Sequence, residues 1–176
     1  MAADPYVLIE EAEAATDVEA RRLALERAIQ AFETIAEVSA KVSFARGYAW
    51  YLMPEDSQQR HEQVLRHLGE AIRQQPQHPF ARLYLAHHYF DLAQYALALP
   101  ILREFSPTFF AGHGQPWRDV KIAEMIVCCV IEVRDESTIG AAMKDLLQRA
   151  NSVEAADLPE PRELTSMVRR KIQRMA

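Results

Sequence analysis

Apolar residues recur along this chain at helical spacing. Leu25, Ala28, Ile29, Phe32, Ile35 and Ala36 follow the i, i+3, i+4, i+7 order of one buried helix face and predict a helix over 17–38. Thr16 and Asp17 stand where a cap for it belongs. Before it, Pro5 opens a short helix over 5–14 with Tyr6 and Ile9, and as further candidates Leu8 and Ala12, pointing inward. A third, aromatic-rich segment over 40–53 carries Val42, Ala45, Tyr48, Ala49, Tyr51 and Leu52, flanked by Phe44 and Trp50. Pro54 ends it, because proline lacks an amide donor and disfavours helix in the residue before it. A fourth helix over 58–75, capped by Ser57, buries Val64, Leu65, Leu68, Ala71 and Ile72. Gly69 in its middle costs about 1 kcal/mol relative to alanine, a cost expected to be offset by close approach of a neighbouring helix.

Pro76 and Pro79 bracket the next turn, and helices follow over 79–92 and 94–105. Pro100 lies inside the second of these and predicts a kink unless that helix starts late. Residues 106–116, SPTFFAGHGQP, interrupt the helical pattern with two glycines, two prolines and the pair Phe109–Phe110. Connections of this length are often functional; the alternative is that both phenylalanines tuck under the helices as a plug. The segment 117–133 is apolar almost all round, which marks the most buried helix of the second half. A helix from Ser137 turns Ile139, Ala142, Met143, Leu146, Leu147 and Ala150 inward. After the linker NSVEAADLPEP, Pro161 opens a last amphipathic helix with Leu164, Met167, Val168 and Ile172.

Two stretches repeat. Val64, followed by Leu68, Ala71 and Ile72, stands 34 residues before Ala98, followed by Leu102 and Phe105. That period, together with Leu85, Ala86 and Tyr89 in one helix and Tyr95, Ala98, Leu102 and Phe105 in the next, resembles the tetratricopeptide repeat. In that family a small residue lets two helix backbones approach and large neighbours close the gap. Pro76 stands at the family's end-of-repeat proline. Arg82 replaces its early tryptophan, and Pro100 interrupts its second helix. The resemblance covers about 45 residues, 61–105, and implies an all-α, right-handed superhelix of antiparallel hairpins with seven or eight helices. The whole chain, 1–176, is read as one such domain, with 160–176 as the helix that caps its open end.

Composition fits this: 176 residues, 49% hydrophobic and 26% charged, with only five glycines. The net charge of −5 is unevenly spread. Residues 1–38 hold nine acidic and three basic side chains, whereas 160–176 hold five basic and two acidic. Such asymmetry either steers a charged partner or is a solvated helix face. One basic cluster is a weak footprint for nucleic acid, so none is expected as a partner. No run of about 18 apolar residues exists and the N-terminus does not resemble a signal peptide, so a cytoplasmic, membrane-free protein is expected. Cys128 and Cys129 are neighbours on one helix, diverge, and read as buried thiols.

The six histidines show no HExxH spacing, and the sequence holds no P-loop, GxGxxG or GxSxG. No catalytic residue, metal or cofactor is therefore expected. The tetratricopeptide resemblance implies that the first helix of each pair lines a concave binding face. On this chain that implies Phe80, Leu83, His87, Phe90 and Asp91, then Trp117, Val120, Lys121 and Glu124, with Phe109 and Phe110 from the loop beside them. The competing reading packs Phe80, Leu83 and Phe90 against a neighbouring helix. The expected function is non-enzymatic protein binding. An acidic immunity protein or antitoxin that occupies a toxin or effector comes first. A secretion chaperone or adaptor holding an extended client peptide is the alternative. An enzyme or metal-dependent regulator using His87, His88 and His113 comes third.

Overall fold

The computed structural model describes residues 4–153, and the expected capping helix over 160–176 lies outside them. The described residues form eight α-helices: α1 Pro5–Ala14, α2 Val18–Glu33, α3 Ala40–Leu52, α4 Gln58–Gln74, α5 Pro79–Asp91, α6 Tyr95–Arg103, α7 Pro116–Glu132 and α8 Glu136–Asn151. A short 3-10 turn spans Ala111–His113, and no strand occurs among the described residues. The expected all-α fold is the fold observed, with chain neighbours α1 and α2, α3 and α4, and α7 and α8 packed as hairpins. No described helix is long and apolar enough to cross a membrane.

Side-chain caps start most helices of the first half. Asp4, Asp17, Ser39 and Ser57 accept from the amides of Tyr6, Ala20, Val42 and Arg60 at 2.9, 2.8, 3.3 and 3.2 Å. For α5 the imidazole of His78 does this work, with Nδ1 accepting from the Ala81 amide at 3.1 Å. Helices α5 and α7 end on a residue in the left-handed region, Ala93 (φ 56°) and Arg134 (φ 58°). There the amides of Gln94 and Asp135 return to the carbonyls of Tyr89 and Val130 at 2.8 and 3.0 Å, closing the last turn.

The chain divides into two compact units, one up to His88 and one from Tyr89. In the first, Leu8, Ile9 and Ala12 of α1, Ala24, Leu25, Ala28 and Phe32 of α2, and Val42, Ala45 and Ala49 of α3 make one core. Each large side chain buried there contributes about 1.5–3 kcal/mol. Helix α4 adds Val64, Leu68 and Ala71. The close crossing is at Gly47, not at Gly69. A Cβ on Gly47 would sit 2.7 Å from Leu68 Cδ2 and 3.0 Å from the Leu68 backbone nitrogen, whereas a Cβ on Gly69 meets nothing within 4 Å.

In the second unit α7 is the most buried helix, as expected, with every residue from Val120 to Ile131 buried except Lys121. Cys128 and Cys129 lie within that run, fully buried. Helix α6 contains Pro100 at its sixth position, so the Ala96 carbonyl loses its helical donor and the helix stays nine residues long.

Three further expectations about the helices need correction. Helix α2 ends at Glu33, five residues early, and Ala36 is exposed. Its end is closed by Thr34 Oγ1 on the Ala31 carbonyl at 2.7 Å and by Arg46 of α3 on the Phe32 and Ile35 carbonyls. Leu65 is exposed at the edge of the α4 stripe. Leu147 is 62% exposed rather than inward. Arg149 takes the buried side of α8, and a residue two positions away points about 200° round the helix.

Candidate interaction face

Helices α3 and α5 build an aromatic ladder in the first unit. Phe44 and Tyr48 stack one turn apart with ring centroids at 5.7 Å. Tyr84 of α5 lies 4.5 Å from Tyr48, 5.3 Å from Tyr51 and 6.2 Å from Phe44. Phe80 and His78 close the lower end against Phe44 at 6.3 and 4.9 Å. His87 continues the upper end, 6.0 Å from Tyr84. All of these rings are half-buried. The contacts follow from register: Phe44 and Phe80, and Tyr48 and Tyr84, are each 36 residues apart.

Hydroxyls tie the ladder together and give it a charged edge. Tyr84 donates to the Tyr48 hydroxyl at 3.4 Å, and Tyr48 donates to the Glu13 carboxylate of α1. Burial and the Glu13 hydrogen bond push the Tyr48 phenol well above its ordinary pKa, so it remains a donor. Glu10, one turn before Glu13 on α1, is exposed, while Glu11 points about 200° round the helix from Glu13. The result is an aromatic strip with one carboxylate, Glu13, at its edge, the mixture found at binding hot spots and their rims.

Of the residues expected on this face, Phe80 and His87 belong to the ladder. Leu83 does not: it is 1% exposed and belongs to the interior. Phe90 packs edge-on against Tyr95 at 5.4 Å in the second unit, and Asp91 is exposed. Phe44, Tyr48, Tyr51 and Tyr84, which complete the ladder, were not among the expected site residues. The signal for them was the 36-residue spacing of like rings, hidden by the 34-residue spacing of the companion helices.

The 106–116 loop is fastened rather than open. Asp119 on α7, itself buried, accepts from the amides of Phe110 and Ala111 at 3.0 and 2.7 Å. Arg149 donates to the Asp119 carbonyl at 3.2 Å and pairs with Asp145 at 2.7 Å. Phe110 is thereby buried, as the plug reading had it, and is no partner contact. Phe109 is half-buried, stacked on His113 at 4.9 Å. Glu124 is also withdrawn: it is fully buried, with one carboxylate oxygen taken by Lys121 at 2.9 Å and the other unpartnered. Lys121 is thus engaged, while Trp117 is half-buried under the Arg118 guanidinium, 4.5 Å from its ring.

The histidines take separate roles. His88 is fully buried beside His61, with ring centroids 5.2 Å apart, and His61 pairs with Asp56 at 2.7 Å. Burial, then the charges of His61 and Arg60, lower the His88 pKa to about 4, so its ring is neutral. His113 is exposed, with Nδ1 2.8 Å from the Phe109 carbonyl. Among the described residues, no three or more His, Cys, Asp or Glu side chains gather as a metal site would.

Fold and face together define an all-α protein of packed helical hairpins with an aromatic, acid-edged surface. No protein-family model matches the chain, and no curated protein or solved structure does either.

Proposed function

We propose that this chain binds another protein, without catalysis, through the aromatic ladder of α3 and α5, and that it acts as an inhibitor of the immunity-protein or antitoxin type. The observation that carries this reading is the run of half-buried rings from Phe80 through Phe44, Tyr48 and Tyr84 to His87, with the Glu13 carboxylate of α1 at its edge. Rings locked by one another lose little entropy on binding, which favours a preformed interface. The acidic edge selects a partner with a basic surface. A tetratricopeptide-like array would present such a face on the first helix of each pair, the position that α3 holds in its hairpin with α4.

The test is co-purification with the products of neighbouring genes, repeated with Tyr84→Ala and Phe44→Ala. A folded, basic partner that is retained by the parent and lost by the folded variants supports the reading, as does protection from that partner's toxicity. Retention by both variants would sink the ladder as the binding face. Tight binding of short linear peptides on an array, with no folded partner, would instead favour the chaperone reading.

A further inference from the structure

A concavity lies in the first unit and is lined mostly by polar residues. It has a volume of about 270 Å³ and is lined by Ile29 and Glu33 of α2, Arg46 and Trp50 of α3, and Gln59, Gln63, Arg66 and His67 of α4. The lining has a simple origin. Residues 29 and 33, 46 and 50, and 59 and 63 are i, i+4 pairs, so each helix turns one continuous edge to the same place.

The donors there are only partly used. Arg46 spends Nη2 on the carbonyls that end α2, while its buried Nε has no hydrogen-bond partner. Arg66 spends Nη2 on Gln63 Oε1 at 2.5 Å and faces His67 Nε2 at 2.9 Å. A buried guanidinium nitrogen without an acceptor is costly and is stabilised by an anion within reach. Two guanidiniums and two carboxamides outweigh the single carboxylate of Glu33, and Trp50 and Ile29 supply a flat apolar wall. The volume is just under the roughly 300 Å³ at which ordinary ligand sites begin, which limits the occupant to a small molecule.

We propose that this pocket binds a small organic or inorganic anion of the carboxylate or phosphate class. Arg46 and Arg66 hold the charge, Gln59 and Gln63 donate to the remaining oxygens, and Trp50 covers the ligand's body. His67 reports the local field. Burial, then Arg66 and Arg46, lower its pKa to about 4, and Glu33 is the one acidic side chain on the lining. A bound anion opposes the two arginines and raises that pKa. The site is separate from the aromatic ladder and does not depend on the partner proposed above.

Titration of the full chain with sodium succinate and with sodium phosphate, each against sodium chloride of equal ionic strength, tests this by NMR at the Trp50 indole and the His67 ring. Saturable shifts with either salt, and a His67 titration moved upward, support the proposal. Succinate alone places the site in the carboxylate class and phosphate alone in the phosphate class. Arg66→Gln, at an exposed position, is expected to keep the fold and weaken binding roughly tenfold, the loss typical of one charge-assisted contact. Shifts that only track the chloride control, or binding unchanged in Arg66→Gln, would overturn it.

Discussion

Glycine carries opposite meanings at two positions of the same hairpin. At Gly47 an added methyl meets both the side chain and the backbone of Leu68, and the backbone cannot yield. Gly47→Ala is expected to destabilise the first unit by about 1–3 kcal/mol. Gly69 has open space, so Gly69→Ala is expected to stabilise by up to about 1 kcal/mol. Urea unfolding of the two variants checks both signs. His88 makes a second prediction. Its folded pKa of about 4 lies below the ordinary 6.5, so below pH 6.5 the unfolded chain takes up a proton that the native chain refuses. Stability is therefore full above pH 6.5 and falls as pH drops towards 4, by up to about 3 kcal/mol. Below 4 this loss levels off. His67 bends the curve the same way. His88→Leu is expected to flatten the slope of denaturant midpoint against pH, leaving the His67 part.

Among the elements, the 106–116 loop depends on one carboxylate. Asp119→Ala leaves the amides of Phe110 and Ala111 without their acceptor, a cost of about 2–4 kcal/mol. Hydrogen exchange at those two amides should accelerate sharply, with less effect on the α7 amides. Asp119→Asn, which has one carbonyl oxygen where aspartate has two acceptors, should fall between. The helices themselves were legible because their signals are local: the stripe of Leu25, Ala28 and Phe32, the caps Asp17 and Ser57, and the stop at Pro54. What escaped was set by distant residues. Helix α2 looked five residues longer because nothing near Thr34 announces that Arg46, twelve residues on, will take its last carbonyls. Phe110 looked available because nothing in its spacing shows that Asp119, nine residues on, will take its amide. The i, i+3 spacing of Lys121 and Glu124 predicts their pairing but not the burial of Glu124. Leu83 failed for another reason. On a helix with apolar residues on several sides, the pattern alone does not rank which side is buried deepest.

At the scale of the molecule, register and charge matter most. The rings of α3 and α5 recur at 36 residues, whereas Val64 and Leu68 of α4 and Ala98 and Leu102 of α6 recur at 34. The difference is the two extra residues of the 53–57 connection relative to 92–94. One sequence thus carries two repeat lengths, and a search for a single period finds only one of them. The net negative charge of the first 38 residues, with Glu13 at the ladder's edge, makes a kinetic prediction for the proposed basic partner. Its association rate should fall roughly tenfold as salt rises from about 50 to 500 mM, with the dissociation rate little changed. Stopped-flow mixing separates the two, and a salt-independent association rate would remove charge from the account.

The two thiols of α7 give the second unit a clock of its own. Cys128 and Cys129 are the only cysteines of the chain, and both are sealed from solvent. A thiol-specific reagent can therefore label the protein only when that unit opens, and opening of the first unit leaves no mark. The labelling rate of the native protein should be limited by opening and independent of reagent concentration once the reagent is in excess. Paired with global unfolding, that rate would show whether the two halves of this chain come apart together or one at a time.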